Sequence, residues 1–146
     1  MPSINNQSDF EFDSRGRLFI SDGSEINRYT AFSGSVTPDL TLSASNVALA
    51  YDAPRNRLYA SHKSTGNLTY FDLNQDTPGQ VYVNDPVGYT FTEGGVAVDS
   101  SGNVFIVADN GSGTKGILKI SIGTAPGEPL EAQGPFLPLH QKAPSV

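Results

Sequence analysis

One phrase recurs three times along the chain. It runs Phe10-Glu11-Phe12-Asp13-Ser14-Arg15-Gly16-Arg17-Leu18-Phe19-Ile20-Ser21-Asp22, then Leu49-Ala50-Tyr51-Asp52-Ala53-Pro54-Arg55-Asn56-Arg57-Leu58-Tyr59-Ala60-Ser61, then Val96-Ala97-Val98-Asp99-Ser100-Ser101-Gly102-Asn103-Val104-Phe105-Ile106-Val107-Ala108-Asp109. The three Asp residues that close the first arm are 39 and 47 positions apart. Periods of about 40–50 residues with several strands per repeat point to propeller blades.

Each phrase reads as a hairpin. Large apolar residues alternate along the first arm (Phe10 and Phe12, Leu49 and Tyr51, Val96 and Val98), which is the strand period. The second arm is rich in β-branched and aromatic residues, which suit a pleated surface. Gly16 and Gly102 offer the positive φ that a short hairpin loop needs. Asp13, Asp52 and Asp99 head the turns, where a carboxylate accepts from amides two residues on. The second loop has one extra residue and no Gly, so Asn56 is expected in the left-handed conformation.

A third strand is expected at Ile26 to Ala31, Leu68 to Leu73 and Ile117 to Ser121. A fourth, weaker one is expected at Val36 to Leu42, Gln80 to Asn84 and Pro129 to Gln133. Four short strands per repeat is the make-up of a propeller blade. The fold expectation is therefore all-β: three four-stranded antiparallel β-propeller blades, half of a six-bladed ring. The blades span about 7–42, 46–85 and 93–134, forming one unit over 1–134. A Pro-containing tail, 135–146, is expected to form an irregular strap or stay mobile.

Composition narrows the partners. The net charge is -6, with nine Lys and Arg and no run of them. Nucleic-acid binding needs clustered basic residues, so that class is set aside. No apolar stretch is long enough for a membrane-spanning helix, and no signal-peptide pattern stands at the N-terminus. Zero Cys rules out disulfides and thiolate metal sites. The compartment stays unassigned. Asn6, Asn67 and Asn110 begin Asn-x-Ser/Thr triplets, which a chain rich in these residues produces by chance.

Three blades do not close a ring, because propellers carry four to eight. An open arc leaves two apolar faces uncovered, and such patches mark interaction surfaces. Two copies would close six blades, which makes the chain itself the expected partner. The alternative is a fragment, or an engineered half, of a longer propeller.

The segment Glu93-Gly94-Gly95-Val96-Ala97-Val98-Asp99-Ser100-Ser101-Gly102-Asn103-Val104-Phe105-Ile106-Val107-Ala108-Asp109 resembles the NHL repeat and the related six-bladed gluconolactonase-like propellers. Asn56-Arg57-Leu58-Tyr59-Ala60 is similar to the YVTN type. The resemblance implies that first strands line a central channel, and that the loops leading into them share one face with the loops joining strands two and three. Gln7, Asn46 and Glu93 then stand at the channel mouth, with loops headed by Asp22, His62 and Asp109. In gluconolactonase-like enzymes Glu, Asn and Asp hold a divalent metal, and Thr92-Glu93-Gly94-Gly95-Val96 resembles the segment bearing the Glu. Glu93 and Asn46 offer hard oxygen atoms of the kind Ca²⁺ takes, and such a metal would polarise a lactone carbonyl. Ala97 and Val98 replace that family's aromatic residue, and blades four to six, with their ligands, are absent. No catalytic residue is identified. The chain is expected to be a non-enzymatic binding or assembly scaffold requiring no cofactor, its ligand a small molecule or protein at the channel mouth. The alternative is a lactonase-like hydrolase using Ca²⁺. Glu11 stands where the other repeats have Ala, and is expected either in the channel or exposed at a subunit edge. His62 and His140 are expected on the surface.

Overall fold

The computed structural model describes residues 9–30, 37–45, 47–63, 67–83, 88–91, 95–122 and 130–138. Over these the chain is all-β, with twelve strands in three four-stranded antiparallel sheets. Sheet 1 holds β1 (Asp9–Phe12), β2 (Leu18–Ser21), β3 (Ile26–Tyr29) and β4 (Leu40–Leu42). Sheet 2 holds β5 (Val47–Asp52), β6 (Arg57–His62), β7 (Leu68–Asp72) and β8 (Gln80–Tyr82). Sheet 3 holds β9 (Val96–Val98), β10 (Asn103–Asp109), β11 (Lys115–Ile122) and β12 (Leu130–Pro138). In every sheet the strands follow chain order from one edge to the other. The first strands are neighbours across sheets, β1 beside β5 and β5 beside β9.

The first and third turns form as their residues dictate; in the second, Asp52 finds no amide two residues on, because Pro54 carries none, and accepts instead from the Arg55 guanidinium at 3.3 Å. Asp13 accepts from the amides of Arg15 and Arg17, each at 2.9 Å. Asp99 repeats this with Ser101 and Asn103, each at 2.9 Å. Gly16 and Gly102 have φ of 74° and 85°, and Asn56 takes φ 51° in the glycine-free second turn. Gly102 has a second constraint. A Cβ there would lie 2.5 Å from the Arg55 guanidinium carbon, whereas at Gly16 it would meet nothing within 4 Å. Arg55 in turn donates to the Ser101 carbonyl at 2.8 Å, tying the second turn to the third. Gly102→Ala should therefore cost about 1–2 kcal/mol from left-handed strain plus loss of this tie. Gly16→Ala should cost only the strain, about 1 kcal/mol. Urea denaturation of the two variants checks the difference.

Two cores lie between the sheets. Phe19, Ile26 and Leu42 of sheet 1 pack with Leu49, Leu58, Ala60 and Phe71 of sheet 2. Ala50, Tyr59, Leu68, Tyr70 and Val83, from sheet 2 and the loop after it, pack with Val104, Ile106, Leu118 and Ile120 of sheet 3. Sheet 2 is thus covered on both faces, which is why Val47-Ala48-Leu49-Ala50 is buried without alternation. Polar bonds fasten sheets 1 and 2. Ser21 donates to the Val47 carbonyl at 3.0 Å, and the Leu49 amide donates to Asp9 at 2.8 Å.

Three expectations need adjusting. β12 continues through Pro138, four residues into the segment read as a tail. Pro is tolerated there because β12 is an edge strand, and Gly134 and Pro135 together stand opposite the single residue Lys119 in a bulge. Glu11 is not simply exposed at an edge. It is half-buried on the face of sheet 1 opposite Phe10 and Phe12, and accepts from the Phe12 amide at 2.9 Å. His62 is not a loop residue on the surface: it ends β6 and is half-buried.

Candidate functional site

The second strand of each sheet ends in or just before one of the polar residues singled out in the sequence. β2 ends one residue before Asp22, β6 ends in His62 and β10 ends in Asp109. Asp22 closes its turn by accepting from the Ser24 amide at 3.0 Å, the Ser24 hydroxyl at 2.8 Å and the Glu25 amide at 3.1 Å. Burial pushes its carboxyl up, but these bonds outweigh that and hold it below the usual Asp range. Asp109 likewise accepts from the amides of Gly111 at 2.8 Å and Gly113 at 3.3 Å. Both carboxylates shape their loops.

His62 is placed differently. Its Nε2 stands 3.1 Å from the Thr69 hydroxyl and 3.1 Å from the Gln80 amide nitrogen. Gln80 also donates to Thr69 at 3.1 Å. Burial lowers the His62 pKa below 6.5, against a hydrogen bond to the Ser45 backbone that acts to raise it. Burial thus favours the neutral form of the ring.

Around it opens a cleft of about 330 Å³, lined by Ser24, Glu25, Ser43, Ser45, His62 and Gln80, with Ala44 at its wall. The lining comes from the Asp22 turn, the β4–β5 connection and two strands of sheet 2. Glu25 accepts from the Asn27 amide at 3.0 Å, and Asn27 accepts from Thr41 at 2.7 Å, so a polar chain braces one side. The cleft offers a carboxylate, an imidazole, an amide and hydroxyls, which suit a small polar ligand.

Of the residues chosen from sequence, His62 and the Asp22 turn thus meet at one cleft. Asp109 does not line it. Gln7, Asn46 and Glu93 lie outside the described residues, as does His140, so the metal pair Glu93 and Asn46 has no geometry here. Among the described residues no group of three or more His, Cys, Asp or Glu is gathered to hold a metal ion.

Sequence reasoning missed Ser43, Ser45 and Gln80, which only sheet packing brings to His62. It also missed a second cleft, of about 270 Å³, between the turn ends of sheets 1 and 2, where Arg15, Arg17 and Arg28 meet Asn56, Asn74 and Asp76. Two of these guanidiniums are already paired, Arg17 with Asp13 at 2.6 Å and Arg28 with Asp39 at 2.7 Å. Little free positive charge remains there for an anion.

No protein-family model matches the chain, and no curated protein matches it significantly.

Proposed function

We propose that the three sheets are blades of a β-propeller of the NHL-like kind. On this reading the chain is a non-enzymatic binding and assembly scaffold, half of a six-bladed ring that a second copy completes. The observation that carries it is large apolar side chains exposed at both ends of the stack of sheets. Phe10 and Phe12 are 66% and 49% exposed on one end, and Leu137 is 67% exposed on the other. Chain-ordered antiparallel sheets with adjacent first strands are the arrangement a propeller needs. Any ligand sits on the face bearing the His62 cleft.

The test separates scaffold from hydrolase. Protein purified without chelator is analysed for bound metal by mass spectrometry and assayed against simple lactones. The scaffold reading expects no stoichiometric Ca²⁺ and no turnover. Bound Ca²⁺ that disappears in Glu93→Ala together with lactone hydrolysis would overturn it in favour of the metal-dependent enzyme.

A further inference from the structure

The cross-strand registers define which residues share a face, and they reveal a threefold equivalence. On sheet 1, Phe19 and Ser21 share a face, Ser21 pairs with Ile26, and Ile26 pairs with Leu42. On sheet 3, Phe105 and Val107 share a face, Val107 pairs with Ile117, and Ile117 pairs with Leu137. The trio Phe19, Ile26 and Leu42 therefore corresponds to Phe105, Ile117 and Leu137. The middle sheet supplies Tyr59, Leu68 and Val83, and Val83 donates its amide to the Leu68 carbonyl at 2.9 Å. The first trio is buried against sheet 2 and the second against sheet 3. Among the described residues no sheet lies beyond the third: Phe105 and Ile117 are only half-buried and Leu137 is exposed.

The receiving faces follow the same rule. Leu49, Tyr51, Leu58 and Ala60 of sheet 2 receive the first trio. Val96, Val98, Val104 and Ile106 of sheet 3 receive the second. The same positions of sheet 1 are Phe10, Phe12, Leu18 and Ile20, by the pairings Phe10↔Ile20 and Phe12↔Leu18. These face away from sheet 2; Phe10 and Phe12 are exposed and Ile20 is half-buried, while Leu18 and its cross-strand partner Tyr29 are buried.

We infer that the partner is a second copy of this chain, docked head to tail. The Phe105–Ile117–Leu137 face of each copy receives the Phe10–Phe12–Leu18–Ile20 face of the other. This rests on the propeller reading above and adds its polarity. Continuity with the two seams already present in the chain is the argument: both join a trio face to a receiving face, and the two uncovered faces are one of each. Pairing like with like, sheet 1 on sheet 1, would leave both trio faces uncovered. A heterologous contact either closes or propagates. Two copies give six sheets, within the range of closed propellers, and the same seam then occurs twice.

The test uses two charge substitutions at exposed positions, Phe10→Asp and Leu137→Asp, with circular dichroism melts to check that each variant folds. Molar mass is read by light scattering across a concentration range. Wild type is expected as a dimer. Each variant alone should be monomeric, with its dissociation constant raised at least about 100-fold, because each substitution enters both seams. An equimolar mixture should regain a one-to-one dimer. There the intact trio face of the Phe10→Asp copy meets the intact receiving face of the Leu137→Asp copy. A wild-type dimer that Leu137→Asp leaves intact, or folded variants that do not complement each other, would overturn the head-to-tail polarity and with it the two-copy ring, but not the reading of the three sheets as propeller blades. A wild-type monomer would overturn both, and assign the faces to further sheets of a longer chain or to a different partner.

Discussion

Phe19→Ala should lower stability by about 3–5 kcal/mol, while Phe10→Ala, one strand away, should change the stability of the separated monomer by no more than about 0.5 kcal/mol. Both are phenylalanines in one hairpin. Phe19 is fully buried between sheets 1 and 2, and Phe10 is 66% exposed. Truncating Phe19 removes its ring from the core with Ile26, Leu58 and Phe71 and leaves a cavity that closed sheet packing fills poorly. Total stabilities run at about 5–15 kcal/mol, so this one change takes a large share. Urea denaturation at low protein concentration reads it as a lower midpoint with an unchanged slope. Low concentration matters because self-association would add a concentration-dependent term. Equal midpoints for the two variants would mean that the faces of sheet 1 are assigned the wrong way round.

The second large effect lies in the first turn. Asp13 is buried, accepts from two backbone amides, and holds the Arg17 side chain at 2.6 Å. Asp13→Ala would leave those donors without their acceptor, at a cost of about 2–3 kcal/mol. Burial pushes the Asp13 carboxyl up, but the bonds from Arg17 and Arg15 outweigh that and hold it below 3.8. A depressed folded pKa means that its contribution is present in full above the unfolded value and disappears as pH falls through the folded one. Asp22, Asp39 and Asp99 are depressed in the same direction. Urea midpoints should therefore hold steady from pH 7 to about 5 and fall below about 4. Asp13→Asn, which keeps an amide acceptor but loses the charge, should be less stable at pH 7 and show a shallower acid slope. A midpoint that rises on acidification would contradict this.

The parts of the fold governed by local chemistry were legible in the residues. Turn geometry depends on a few neighbours, so Asp13, Asp99, Gly16, Gly102 and Asn56 could be assigned from the phrase alone, and the structure has each as expected. The third strands follow equally from their apolar runs. Faces are another matter. Alternation says that Phe10 and Phe12 share a side, but only the position of sheet 2 says which side is covered. The same non-local information turns Glu11 inward and half-buries His62 beneath the β4–β5 connection. β12 was cut short because Pro135 reads as a breaker, whereas an edge strand with a bulge accommodates it. Half of the His62 cleft was visible as loop residues. Gln80 and Ser43 were not, because no local pattern places them beside an imidazole 18 residues or more away.

On the proposed function, the apolar end faces of the stack are covered by a second copy of the chain. Light scattering of the wild-type protein over a wide concentration range addresses that most directly. A ring closed by two copies has a stable mass near twice 15.5 kDa with no growth at higher concentration. A mass that stays at 15.5 kDa throughout, or that climbs without limit as an open chain would, contradicts it.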